Sequence, residues 1–366
     1  MIIPVSREEF VSGETSNIAE IANKLSKEVF DWFRWERIPL VDQNFACTKQ
    51  GKHAPTKKAV HTHPVDVVFS YGDPYLGKRV FLNTDLKSYA KSSIKAGEIR
   101  SALKSLAQTI DCARSSETWN TRYNLKNEEC EIRGLLFVYN HDGEYDKNLQ
   151  DVFKPKQYKS ATEEAESVEN STNLSSLPIE SDMYLHIVQP RLISFMTTLR
   201  ADVNRLIAES TFPRRNYRFF YPDLKLHKTH GDEYARPATI EMISGPFVIV
   251  EHDEVRSAET GEVYPNGVVI FYNRPGNSAE EFLYFIDTLS NLQLLKGSHP
   301  IRVRVLHDTP HSDLRSNFKR AIEMYILEWG FDSAKRDRLE SIDLELVEIV
   351  TTRFSSIELG WERKGK

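Results

Sequence analysis

Cysteine is scarce in this chain: Cys47, Cys112 and Cys130 are the only three among 366 residues, and no Cys-x-x-Cys pair occurs. So few thiols, odd in number and far apart, indicate neither a disulfide framework nor a structural zinc site, and none lies in a nucleophile motif. They read as small buried side chains in a protein of the reducing cytoplasm. Long apolar runs are also missing. Nothing approaches the ~20 residues that cross a bilayer, and Met1-Ile2-Ile3-Pro4 has neither the basic nor the apolar region of a secretion signal. Glycine-rich phosphate loops are absent too: neither Gly-x-x-x-x-Gly-Lys nor Gly-x-Gly-x-x-Gly occurs, which predicts no nucleotide cofactor.

What is present is an ordinary globular composition, 40% hydrophobic, 28% charged and 11% aromatic. The length suits two domains better than one core. A net charge of −5 means that any nucleic-acid partner must be held by a local basic patch rather than by the overall field.

Residues 160–182 hold six acidic side chains, no lysine or arginine, and many serines and threonines. Such a stretch buries too little surface to order itself, so the expected organisation is a first domain over 1–150, a linker over 151–182 and a second domain over 183–366. In the first, Ile18, Ile21, Ala22, Leu25, Val29, Trp32 and Phe33 recur at helical spacing. Runs 65–71 and 79–87, separated by Gly72-Asp73-Pro74-Tyr75-Leu76-Gly77, read as a hairpin. A helix is predicted over 94–110 and a buried strand over 133–139. The second domain reads as helix 184–207, strands 239–252 and 267–273, helix 279–294, strand 301–307 and helix 314–329. No repeat relates the two halves.

Alternation along Phe81-Leu82-Asn83-Thr84-Asp85-Leu86-Lys87 sets Asp85 and Lys87 on one face and Leu86 on the other. Asp66 enters the preceding strand. Two carboxylates on adjoining strands with a lysine beside them are a minimal site for magnesium and for phosphodiester hydrolysis, in which the metal polarises the phosphate and activates water. Order and context carry the weight, since Asp223-Leu224-Lys225 has the same tripeptide pattern without an acid-bearing partner strand.

Pro64-Val65-Asp66, one residue looser than the family's Pro-Asp, followed by an apolar strand, a turn and Thr84-Asp85-Leu86-Lys87, resembles the PD-(D/E)xK (restriction-endonuclease-like) nuclease superfamily over roughly the first 140 residues. The resemblance implies an α/β fold, a mixed sheet flanked by helices, followed here by a second α/β or α+β domain. It implies that Asp66 and Asp85 bind Mg2+, for which Mn2+ can substitute, that the Leu86 carbonyl is a third ligand, and that Lys87 orients or activates the attacking water. Many members carry a glutamate on the helix before the first strand, where Glu20 fits first and Glu28 second. DNA as substrate is likewise implied by the family. A lone nuclease domain joined to an unassigned domain, without helicase or methyltransferase motifs, also looks like a prokaryotic anti-phage defence or restriction subunit. Restraint of such an enzyme implies a protein partner or self-association.

Three other patterns compete for function. His61-Thr62-His63 followed by Asp66 suggests a zinc hydrolase, but the acid and histidine spacing of metallo-β-lactamase-like enzymes is missing; His63 is otherwise a phosphate-contacting rim residue. Arg214, Arg215, Arg218, Lys225 and Lys228 interleave with Tyr217, Phe219, Phe220 and Tyr221 as a nucleic-acid surface would, or as core rings under a solvated face. Lys52, Lys57 and Lys58 form a second basic patch ahead of Asp66. A chain that kept this fold for DNA binding or assembly but lost catalysis is the remaining alternative.

Overall fold

The computed structural model describes Lys24 and residues 29–53, 61–153, 156–157, 168–169, 177–223, 227–330 and 332–350. Glu20, Glu28, Lys57, Lys58 and Lys225 therefore lie outside the described residues, as does most of the helix expected before Trp32. The chain divides into two compact units: of the described residues, one takes those up to Ile193 without Pro74–Leu76, and the other takes Pro74–Leu76 and those within Ser194–Thr351.

In the first unit the elements are β1 (Glu36–Val41), β2 (Phe45–Ala46), the single-turn α1 (Gln50–His53), β3 (Thr62–His63), β4 (Val67–Gly72), β5 (Arg79–Tyr89), α2 (Ala96–Ala113), α3 (Glu117–Tyr123), β6 (Cys130–Asn140), β7 (Lys156–Gln157), β8 (Val168–Glu169) and β9 (Leu185–Val188). The main sheet has the order β1-β4-β5-β6-β9. Its β1/β4 and β4/β5 pairs are antiparallel, while β5/β6 and β6/β9 are parallel. The expected hairpin is thus β4–β5, and α2 is the crossover that joins the parallel strands β5 and β6.

Burial follows the sequence periods. Leu103, Leu106 and Ile110 on α2 pack with Leu136 and Val138 of β6. Elsewhere Phe30 meets the Phe69 ring edge-on at 4.8 Å and Trp35 stacks on Tyr71 at 5.2 Å. Trp119 on α3 is buried and donates its Nε1 proton to Asn83 Oδ1 of β5 at 3.0 Å. A buried indole and a buried amide in mid-sheet satisfy each other in this way.

Two expected elements change. Residues 184–207 are not one helix: β9 comes first and joins the first sheet, and α4 (Pro190–Ala208) follows. Pro190 explains the break, because proline suits the first helical turn and forces the residue before it to be extended. The first sheet therefore includes residues beyond the acidic stretch, within which Val168–Glu169 pairs with Lys156–Gln157. Residues 239–252 are likewise not one strand, since the Thr239 side chain caps the short helix α5 (Ile240–Ile243) by accepting from Met242 N.

The second unit continues with β10 (Tyr217–Phe219), which precedes α5, then β11 (Phe247–His252), the β12–β13 ribbon (Val255–Arg256, Val263–Tyr264), β14 (Gly267–Tyr272), α6 (Ala279–Asn291), β15 (Ile301–Val305), α7 (Leu314–Trp329), α8 (Ser333–Glu340) and β16 (Asp343–Leu346). Sheet order is β10-β11-β14-β15-β16, again two antiparallel pairs followed by two parallel ones. The sequence shows no repeat, yet the same succession of strand senses is built twice. Arg304 of β15, almost fully buried, donates from Nε and Nη2 to the two oxygens of the buried Asp202 on α4 at 2.8 and 2.7 Å, a geometry suited to a desolvated ion pair.

Gly134 tests the packing that supports β5. A Cβ built there would lie 2.5 Å from Leu185 Cδ2 and 2.9 Å from Leu106 Cγ, so Gly134→Val is expected to lower stability by roughly 1–3 kcal/mol, measured by chemical denaturation. Unchanged stability would show that α2 and β9 are not held against β6 as described.

Candidate active site

Strand register assembles the site. Val67 of β4 pairs with Thr84 of β5, the first pair of that antiparallel ladder. One step further out come Asp66 and Asp85. The Leu86 backbone N–H donates to Asp66 Oδ2 at 2.7 Å, while Lys87 Nζ lies 2.7 Å from Asp85 Oδ1. Asp66 is itself fixed from the other side, since its carbonyl accepts from Asp42 N at 2.8 Å and the neighbouring Val65 exchanges backbone hydrogen bonds with Gln43. Thus Asp66, Asp85 and Lys87, which the sequence pattern singles out, are brought together.

The charges of these groups depend on one another. Burial, and then the Asp85 carboxylate beside it, push the Asp66 pKa up to about 7, against the lowering effect of the Leu86 N–H and the Lys87 charge. For Lys87, burial pulls the pKa down, but Asp85 and then Asp66 outweigh it and the net shift is upward. The lysine is therefore a cation at neutral pH. Tyr89 continues the Asp85–Lys87 face of β5, and burial raises its phenol pKa while Lys87 opposes the rise. Alternation in the sequence already places this tyrosine there, although nothing in its type marked it as a site residue.

The other expected site residues separate from this cluster. His63 is buried and its imidazole pKa is lowered to about 4 by burial first and by His61 and His53 second, so it is a neutral core ring rather than a phosphate contact. His61 stacks edge-on with His63 at 4.8 Å; among the described residues, His61, His63 and Asp66 do not form a metal-ligand group, which removes the zinc-hydrolase arrangement. Lys52 is engaged by Asp111 and Glu180, both at 3.2 Å. In the second unit Tyr217, Phe219 and Tyr221 are buried, so the aromatic residues of the basic stretch are core rings and not a stacking platform for bases. Arg218 pairs with Glu251 at 2.8 Å, and Lys228 with Asp223 at 3.1 Å. Arg214 and Arg215 are exposed. One group was missed by sequence reasoning altogether: Cys47, His53, His63 and Cys112, scattered along the chain, converge in the interior.

Because the folded-state pKa of Asp66 stands above its usual value, its contribution to stability is fully present below about pH 4 and is lost as pH rises through about 7. The melting temperature of the metal-free protein is expected to fall across that window, and Asp66→Asn should flatten this part of the profile. Equal slopes for the two proteins would show that Asp66 does not titrate high.

Comparison with known proteins bears on the first unit. Residues 11–172 match the family model described as the GAPS4 protein PD-(D/E)XK nuclease domain. No curated protein and no solved structure matches the chain. The family match over 11–172 and the mixed five-stranded sheet agree, and this part of the chain is similar to the PD-(D/E)xK nuclease superfamily.

Proposed function

We propose that the protein is a metal-dependent DNA endonuclease of an anti-phage defence or restriction system. The observation that carries this reading is the juxtaposition of Asp66, just before β4, and Asp85, on β5, with Lys87 on Asp85. Two carboxylates and one ammonium leave the site short of positive charge, and burial, with Asp85 second, raises the pKa of Asp66. A divalent cation fits such a site; Mg2+ or Mn2+ there would supply Lewis acidity toward the phosphate and a water of lowered pKa. Asp66 and Asp85 would hold it. The N–H and C=O of a strand residue leave the same edge, so the Leu86 carbonyl projects to the side on which its N–H meets Asp66 and can serve as a third oxygen ligand.

Lys87 cannot serve as a base while it stays protonated. Its role is to hold positive charge and donate a hydrogen bond where a phosphate oxygen or the attacking water would sit, oriented by Asp85. Glu20 remains the proposed helix carboxylate, with Glu28 second. The GAPS4 match and the absence of helicase or methyltransferase motifs support the defence role. No helix of the described residues is long and apolar enough to cross a membrane, which accords with a cytoplasmic site of action. An enzyme of this kind has to be kept from host DNA, and we assign that restraint to a protein partner or self-association through the second unit. Arg214 and Arg215, exposed there, are proposed to meet phosphate.

With magnesium or manganese, the protein together with any partner it requires is expected to cleave supercoiled and linear DNA, and Asp85→Ala and Lys87→Ala at matched folding should each lose on the order of 10²-fold or more of the rate. DNA binding without cleavage under all these conditions would favour a binding or assembly subunit, and cleavage surviving both substitutions would displace the site. A solution mass measurement should find an assembly larger than one chain; a strict monomer that degrades DNA alone would remove the restraint hypothesis.

A further inference from the structure

We infer that Cys47, His53, His63 and Cys112 form a closed, four-coordinate zinc site inside the first unit, separate from the acid pair at Asp66 and Asp85. One ligand atom from each of the four lies within 4.8 Å of every other. The sulfurs of Cys47 and Cys112 are 3.6 Å apart, and His53 Nδ1 is 3.7 Å from Cys47 Sγ and 3.3 Å from Cys112 Sγ. Bond lengths of about 2.3 Å to sulfur and about 2.0–2.1 Å to nitrogen give a tetrahedron with edges of about 3.8 Å between sulfurs and about 3.6 Å between sulfur and nitrogen. The three separations among Cys47, Cys112 and His53 are close to those edges. A ring nitrogen of His63 supplies the fourth corner, and its Nε2 is buried with no hydrogen-bond partner.

Burial and charge point the same way. The four residues are 6%, 6%, 2% and 0% exposed in chain order, which leaves no open position for water and marks a structural rather than a catalytic centre. When zinc binds, two thiol protons are released and the ion's two positive charges are matched by two thiolates, with both imidazoles neutral. The complex carries no net charge, so its burial avoids the penalty of an uncompensated ion. Two thiolates and two imidazoles also select zinc over magnesium, which takes hard oxygen ligands.

The surroundings orient the ligands. His53 turns Nδ1 toward the sulfurs, and its Nε2 lies 3.1 Å from Asp111 Oδ2 without hydrogen-bond alignment, which sets a carboxylate beside the imidazole as in carboxylate–histidine metal sites. Asp111 is held in turn by Lys49 and Lys52. Cys47 N donates to the His61 carbonyl at 3.0 Å, and β2 pairs with β3 with Phe45 opposite His63. The ion would therefore tie the β2–β3 ribbon to the last turn of α2. His63 precedes Asp66 by three residues, so the same clasp fixes the entry to β4.

Elemental analysis of the full chain, purified under reducing conditions without chelator, tests this. About one zinc per chain is expected. It should persist in Cys130→Ser and in the Asp66→Asn, Asp85→Asn double variant, and be lost from Cys47→Ser and Cys112→Ser. Should the cysteine variants fail to fold, cobalt exchanged into the wild type is expected to show thiolate charge-transfer and tetrahedral d–d absorption. A folded wild type that holds no zinc and gives no such bands with added cobalt overturns the proposal. Zinc that leaves with Asp66 and Asp85, or a disulfide between Cys47 and Cys112, overturns it as well.

Discussion

Two carboxylates side by side repel each other, and the first unit is organised to hold Asp66 and Asp85 in that position. The antiparallel ladder of β4 and β5 brings them level at its open end, one step beyond the Val67–Thr84 pair. Compensation comes from donors one and two strand positions beyond Asp85: the Leu86 N–H on Asp66 and the Lys87 ammonium on Asp85. Neither is sufficient, and the high pKa of Asp66 reflects desolvation first and unresolved repulsion from Asp85 second. Such a site holds a proton or a cation, which is the electrostatic basis for expecting metal there.

The support behind the pair is correspondingly rigid. β5 is central in its sheet, flanked by β4 and β6, so its register is fixed on both edges and a slip would carry Asp85 and Lys87 to the opposite face. Trp119 anchors the strand through Asn83, and Gly134 lets Leu106 and Leu185 close over β6. If the Cys47, His53, His63 and Cys112 centre binds zinc as inferred, the segment leading into Asp66 is held by coordination bonds as well as by backbone pairing. One small unit would then offer two donor sets of opposite character, hard carboxylate oxygens at the half-buried Asp66 and Asp85 and thiolates with imidazoles in the interior.

The second unit repeats the succession of strand senses without the acid pair. Its ladder opens at Phe247 opposite Tyr272, and the next step out brings Pro246 and Asn273 together, with Asn273 N donating to the Pro246 carbonyl at 2.8 Å. Where the first unit sets two acids, the second sets a proline and an amide. No repulsion has to be balanced there, and the backbone closes on itself. The same sheet pattern thus carries different side chains at corresponding positions of its ladder.

The sequence by itself determined the local elements whose period is strong: the β4–β5 hairpin with its glycine and proline turn, α2, β6, α6 and α7. It also determined that Asp85 and Lys87 share a face, because alternation along a strand is a local property. Where propensity met a stronger local signal the reading went astray, as at Pro190, which begins a helix, and Thr239, which caps one. What only the tertiary structure decided is which distant residues meet. Tyr217, Phe219 and Tyr221 went to the core, His63 turned inward, and Cys47, His53, His63 and Cys112 converged although the two cysteines are 65 positions apart. No local period encodes that approach. It follows from the packing of β2 and β3 against the end of α2, and packing is set by the whole unit rather than by any one of its segments.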